Sequence, residues 1–275
     1  MSRFKTKKSL GQNFLENQKV LDKIVELADL DKETDVIEIG VGSANLTTVL
    51  AQKAHRVLGF EIDTSLIPVL EKKLQDYSNV FITFGDILKL NFKKEIHSQL
   101  KITNDLTLVA NIPYYITSPI IHLILESQIH FKNIILMVQK EVAERIVAKP
   151  DSSDYGVFSI YVQEFCEPKI EFFVDKKNFN PTPKVDSAVI SLYLNEKQIT
   201  STQIKEEMHL VKIAFSNRRK QLKNNLENFT TDKFVKQQIP FVLEKIFGSS
   251  KIRAQELSLQ QYRELLFELK KLGYF

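Results

Sequence analysis

Four residues in the middle of the sequence, Asn111-Ile112-Pro113-Tyr114, could do a demanding piece of chemistry. The exocyclic amine of a purine such as adenine is a poor nucleophile, because its lone pair is delocalised into the ring. It attacks a methyl donor only when that lone pair is freed and aimed. Acceptors do this: the Asn111 side-chain oxygen and the Ile112 carbonyl can take the two amine hydrogens and support the charge that develops on nitrogen. Pro113 fixes the backbone that carries the second acceptor. Tyr114 offers a ring on which an unstacked base can lie. No general base is needed before attack, since the proton can leave afterwards. Phe179, ahead of a loop stiffened by Pro181 and Pro183, is a candidate for the other face of the base. The plain alternatives are a proline turn with a buried tyrosine, and a phenylalanine in the core.

A second set of residues describes where the donor would sit. Gly40-Val41-Gly42 ends one apolar run and leads into Ala44-Asn45-Leu46, Glu61 ends the next run 21 residues after Gly40, and Gly85-Asp86 ends the third. Glycine serves where backbone approaches a ligand closely or takes positive φ. Glu61 can accept both hydroxyls of a ribose, and Asp86 can accept from an adenine amine. These outline an adenosine-shaped pocket. A tight turn and two solvated strand-end acids would explain the same residues. A nicotinamide dinucleotide would need a third glycine where Asn45 stands, to seat its pyrophosphate, and no His or Tyr is placed as a hydride-step acid. S-adenosylmethionine has no phosphate to cradle and fits the turn as it is.

The surrounding pattern supplies the elements that must hold these residues. Val36 to Ile39, Val57 to Phe60, Val80 to Phe84, Leu106 to Ala110 and Ile134 to Val138 read as buried strands separated by helices, the signature of an α/β, doubly wound parallel sheet. Ile170 to Val174 and Val189 to Leu194 are further strand candidates. After Leu194 the β-branched runs stop. Met208 to Phe215, Phe234 to Phe247 and Ser258 to Leu272 read as helices, the middle one broken by Pro240. The expected organisation is a Rossmann-like domain over 1–195, with a basic segment over 1–15, and a small all-helical domain over 196–275.

Composition narrows the class. The 275 residues are 43% hydrophobic and 26% charged, with 8 Gly and 8 Pro, which excludes disordered and collagen-like chains. The single cysteine, Cys166, excludes an intrachain disulfide framework and suits a reducing compartment, here the cytoplasm. No apolar run approaches a membrane span, and the five histidines lack metal-ligand spacing, so no metal is expected. The formal charge of +4 is uneven: residues 196–275 carry +6 and residues 1–195 carry −2, although the first eight residues alone carry +4. Two basic ends around an acidic body suit a polyanion.

Taken in order, these motifs resemble the rRNA adenine dimethyltransferases, and within them the bacterial small-subunit type. The resemblance rests also on Lys8-Ser9-Leu10-Gly11-Gln12-Asn13-Phe14-Leu15, on Glu61-Ile62-Asp63, on Gln139-Lys140-Glu141-Val142-Ala143, on Pro181-Thr182-Pro183-Lys184-Val185-Asp186-Ser187, on Phe215 with Arg218-Arg219-Lys220, and on Arg253-Ala254. It implies transfer of four methyl groups from S-adenosylmethionine to two adjacent adenosines in the loop near the 3′ end of 16S rRNA, within an assembling small subunit. It also implies that Asn13, Leu15, Gly40, Gly42, Glu61, Ile62, Asp86, Ile87 and Asn111 bind the cofactor. Asn111, Ile112, Pro113, Tyr114 and Phe179 would hold the base, and Arg3, Lys5, Lys7, Lys8, Lys184, Arg218, Arg219, Lys220 and Lys223 would meet rRNA phosphates. A monomer is the default. The sequence departs from the family at Ala44, where glycine is frequent, and at Gln255, where an acid is usual. Related methylases of large-subunit adenosine, and a non-catalytic assembly factor, are the rival readings.

Overall fold

A computed structural model describes residues 7, 10–100, 105–195 and 201–275. Arg3, Lys5 and Lys8 lie outside the described residues. In chain order the elements are β1 (Phe14–Leu15), α1 (Gln18–Leu27), β2 (Asp35–Ile39), α2 (Asn45–Lys53), β3 (Arg56–Glu61), α3 (Ile67–Leu74), β4 (Val80–Phe84), α4 (Phe92–Gln99), β5 (Leu106–Asn111) and α5 (Thr117–Glu126). They continue with β6 (Asn133–Gln139), α6 (Lys140–Val147), α7 (Val157–Phe165), β7 (Cys166–Val174), β8 (Phe179–Asn180), β9 (Ser187–Leu194), α8 (Ser201–Ala214), α9 (Leu222–Phe229), α10 (Lys233–Phe247) and α11 (Leu259–Lys271).

Two compact units result, Met1–Ala143 with Pro168–Leu194, and Glu144–Glu167 with Asn195–Phe275. This differs from a single cut near residue 196. The segment 144–167 joins the C-terminal helices because α7 is apolar almost all round, with Ser159, Ile160, Tyr161, Val162 and Glu164 buried, and it packs on α8 and α11.

The first unit is built on a seven-stranded sheet in the order β4-β3-β2-β5-β6-β9-β7. The five strands β4 to β6 in that order pair in parallel, whereas β9 runs antiparallel to β6, so the sheet is mixed rather than wholly parallel. Helices cover its faces, which is why β2 is buried at every position. Burying each such Val, Ile or Leu contributes roughly 1.5–3 kcal/mol. Register places the strand ends level: Ile39 is opposite Phe60 and Ala110, and Glu61 opposite Phe84. Gly40, Ile62, Gly85 and Asn111 therefore leave the sheet along one carboxyl edge. The strand order reverses between β2 and β5, the place where open α/β sheets bind ligands.

The second unit is held by buried tyrosines whose hydroxyls donate to backbone carbonyls: Tyr155 to Leu257 at 3.0 Å, Tyr262 to Ala254 at 2.6 Å and Tyr274 to Leu226 at 2.7 Å. Arg263 bridges the buried Glu164 and Glu207. Pro240 does not break α10, contrary to the expectation from sequence; it sits inside the helix. A proline removes one intrahelical hydrogen bond, and here the buried row Val235, Ile239, Val242 and Leu243 holds both halves in line.

Candidate active site

The turn after β2 brings backbone where side chains would collide. Gly40 has φ +84°, and a Cβ there would stand 3.3 Å from the Asn111 carbonyl oxygen. Gly42 has φ +55°, and its Cβ would come within 2.9 Å of the Phe14 ring. Ala44 keeps the left-handed conformation that glycine favours, φ +56°, and starts α2 without a side-chain cap. Asn45, at the position a dinucleotide site gives to glycine, is filled by its own contacts: its amide donates to the Leu15 carbonyl at 2.7 Å and its oxygen accepts from Lys73.

Glu61 is 6% exposed, and its two oxygens each accept one backbone N–H, from Gly42 at 2.7 Å and from Asp63 at 2.8 Å. Burial, with a smaller contribution from the Asp63 charge, raises its pKa, while bonds from the Asp63, Gly42 and Ile62 backbone N–H groups favour the carboxylate. A carboxylate has about four acceptor sites, so capacity for a hydroxyl donor is left after these bonds. Asp86 accepts from the Leu88 N–H at 3.1 Å and lies 3.4 Å from the Lys89 ammonium.

Across the same edge, Asn111 donates its side-chain amide to the Asn13 carbonyl at 3.4 Å. Only the NH2 end of the amide can face a carbonyl, so the Asn111 oxygen is left as the acceptor. The Ile112 N–H donates to the Met137 carbonyl at 3.1 Å and ties the turn to β6. Tyr114 turns away from this pocket; its hydroxyl is 2.7 Å from the Ser187 hydroxyl on β9, and burial raises its pKa.

These groups border one cleft at the carboxyl edge of the sheet, the concave setting in which small-molecule sites form. Asn13, Gly40, Gly42, Glu61, Ile62, Asp86, Ile87, Asn111, Ile112 and Pro113 all line it. Leu15 and Phe179 do not. They are register partners in the β1–β8 pair and each is 4% exposed in the core. As placed, the Phe179 ring presents no open face to a base. Lys7 forms an ion pair with Asp63 at 2.7 Å, and Gln12 donates to the same carboxylate at 2.8 Å. Burial disfavours the Asp63 charge, but the bonds from Lys7, Ser65 and Gln12 outweigh it and hold the carboxyl down at about 2. Arg218 is likewise occupied, by the Gln255 side-chain oxygen at 3.2 Å and by the Ser153 and Tyr155 carbonyls, so the contact made at position 255 is to a neutral acceptor. Lys184, Arg219 and Lys220 are exposed, and Lys223 is half-buried. The lining residues that the sequence reading missed are Leu10, Gly11, Gln12, Phe14 and Tyr115, together with the apolar floor of Ile39, Phe60, Ile116 and Ile120. Among the described residues, no group of three or more His, Cys, Asp and Glu is placed to hold a metal ion.

The model of the family described as ribosomal RNA adenine dimethylase matches residues 3–262. The chain belongs to this family. It is 44% identical, over 95% of its length and 89% of the relative's, to ribosomal RNA small subunit methyltransferase A of Latilactobacillus sakei subsp. sakei. It is 42% identical, over 98% and 92%, to the protein of that name in Bacillus licheniformis. Among solved structures, a dimethyladenosine transferase from Plasmodium falciparum superposes with TM-score 0.79 at 31% identity, over 94% of this chain and 98% of the other. The 23S rRNA methyltransferase ErmE superposes with TM-score 0.70 at 24% identity, over 94% and 100%, and shares the fold. As a ribosomal RNA adenine dimethylase the chain uses S-adenosylmethionine, and its pocket fits that group. Two strand-end carboxylates, Glu61 and Asp86, suit hydroxyl and amine donors, and Ile62 and Ile87 give apolar wall, while Lys73, the cation beside the glycine turn, is taken up by the Ser43 carbonyl at 2.8 Å and by Asn45.

Proposed function

We propose that this chain dimethylates two adjacent adenosines in the loop near the 3′ end of small-subunit rRNA, acting in the cytoplasm as a monomer on the assembling subunit. The names of the relatives at 42–44% identity support the small-subunit target. The observation that carries the chemistry is the Asn111 amide, whose nitrogen is committed to Asn13 and whose oxygen is thereby presented as an acceptor at the pocket edge.

When bound, S-adenosylmethionine supplies an electrophilic methyl group on a sulfonium. Glu61 would hold the ribose, Asp86 the adenine amine, and Gly40 and Gly42 the close approach of backbone. Asn111 and the Ile112 carbonyl would take the amine hydrogens of the target adenosine and stabilise the positive charge that grows on its nitrogen. Tyr114 would carry the flipped base on its ring. Lys184, Arg219, Lys220 and Lys223 would track phosphates.

The test is methyl-labelled S-adenosylmethionine with unmodified small subunits and, in parallel, unmodified large subunits, followed by mapping of the labelled nucleotides. Label is expected in two neighbouring adenosines. Asn111→Ala should keep the fold and lower turnover about 10²–10³-fold, the scale for losing one preorganised polar group. Near-normal turnover of that variant would remove Asn111 from the mechanism. Label confined to large-subunit rRNA would instead favour the reading that the fold shared with ErmE leaves open, and no label at all would favour an assembly factor.

A further inference from the structure

Tyr114 and Tyr115 follow one another in a single 3-10 turn, Tyr114–Ile116, entered from Pro113. Successive side chains leave such a helix about 120° apart, so the two rings serve different surfaces. Tyr114 runs to Ser187 on the sheet. Tyr115 forms part of the cofactor pocket wall and is 54% exposed. Its ring lies against the backbone of Gly11, where a Cβ would stand 3.1 Å from the ring and where φ is +59°. Gly11 precedes Gln12, which is bonded to Asp63 two residues beyond Glu61. Tyr115 thus spans the mouth of the pocket between the N-terminal segment and the Asn111–Tyr114 turn. After burial, the negative charges of Asp86 and Glu61 are what raise the Tyr115 phenol pKa, in keeping with a ring that faces both strand-end carboxylates.

We infer that Tyr115 is a cofactor-binding residue: propped on the Gly11 backbone, its ring closes the open side of the pocket over the adenosine end of S-adenosylmethionine. Two consecutive tyrosines then divide the two substrates, Tyr114 taking the base and Tyr115 the donor. A ring over the carboxylates keeps water off them and strengthens their bonds to hydroxyl groups. Glycine suits position 11 because its φ of +59° disfavours other residues and because a Cβ there, 3.1 Å from the Tyr115 ring, would press the ring aside. This assignment rests on the reading of the pocket as the S-adenosylmethionine site.

The experiment is calorimetric titration of the full chain with S-adenosylhomocysteine, paired with equilibrium binding to small subunits and a thermal melt of each variant. Tyr115→Ala should weaken S-adenosylhomocysteine roughly tenfold and leave subunit affinity unchanged. Tyr115→Phe should restore most of the loss, since the ring is what covers the site. Gly11→Ala should weaken S-adenosylhomocysteine in the same way, and Tyr114→Ala should show the reverse pattern, losing subunit affinity alone. A folded Tyr115→Ala protein that binds S-adenosylhomocysteine like the parent overturns the inference, and so does equal loss of both ligands. Failure of the parent chain to bind S-adenosylhomocysteine overturns the pocket reading itself.

Discussion

A single amide orients the edge of the cleft proposed to react. Asn111 could face its oxygen or its nitrogen toward a substrate amine, and the Asn13 carbonyl decides the matter by taking the nitrogen. Tyr114 is fixed by a comparable bond. Its hydroxyl pairs with that of Ser187, which is wholly buried. Tyr114→Phe keeps the ring but strands the Ser187 hydroxyl, a loss of about 1–3 kcal/mol in stability. Tyr114→Ala removes the stacking platform, about 1–3 kcal/mol in base engagement. The Phe variant should therefore melt lower than the parent with KM for small subunits preserved, and the Ala variant should raise that KM. Thermal melts and steady-state rates distinguish the two, and equal kinetic defects would move the function of Tyr114 from the ring to the hydroxyl. That Glu61, Asp86 and Asn111 line one cleft was legible from sequence because each polar residue stands at the end of a continuous apolar run. Tyr115 was not, since the direction of a ring leaving a 3-10 turn is set by local twist that spacing does not reveal. The placement of Phe179 outside the cleft was not legible for a related reason: its burial follows from the β1–β8 pairing with Leu15, a contact between segments more than 160 residues apart.

At the level of elements, β2 to β6 appeared within one residue of their expected ends, because continuous β-branched runs bounded by polar residues have one good solution in a covered sheet. The antiparallel return of β9 and the transfer of 144–167 to the helical unit were not legible, since both depend on which apolar faces meet. β2 also carries an acid within its run. Glu38 is 1% exposed and one of its oxygens has no hydrogen-bond partner. Burial first, and the neighbouring Glu61 charge second, push its pKa from 4.5 up to about 8. A folded-state pKa raised in this way means that the folded chain holds a proton the unfolded chain releases. The stability contributed is complete below pH 4.5 and falls by up to about 1.4 kcal/mol per pH unit as pH rises toward 8. Glu38→Gln should flatten the decline of melting temperature between pH 5 and 8. A parallel pair of curves for parent and variant would show that the loss of stability comes from another group.

The charge distribution of the whole chain pointed to RNA, and the structure sorts its cations into two kinds. Lys7 is committed to Asp63 and Arg218 to Gln255 and two carbonyls, whereas Arg219 and Lys220 stand exposed and Lys223 half-exposed. Binding to phosphates releases counterions, so each cation that meets a phosphate adds roughly 0.7–0.9 to the slope of log affinity against log salt. An ion pair already closed within the protein adds little, because breaking it offsets the gain. Arg219→Ala with Lys220→Ala should therefore leave the melting temperature unchanged and reduce the salt slope of small-subunit binding by about 1.5. Arg218→Ala should do the opposite, lowering the melting temperature through loss of its bonds to Gln255, Ser153 and Tyr155, of which the one to the Tyr155 carbonyl is partly buried, while leaving the slope in place. Measuring binding at several potassium chloride concentrations for each variant separates the two classes. An unchanged slope in the double variant would remove these two residues from the RNA surface, and a reduced slope in Arg218→Ala would mean that its guanidinium leaves its internal partners when RNA arrives.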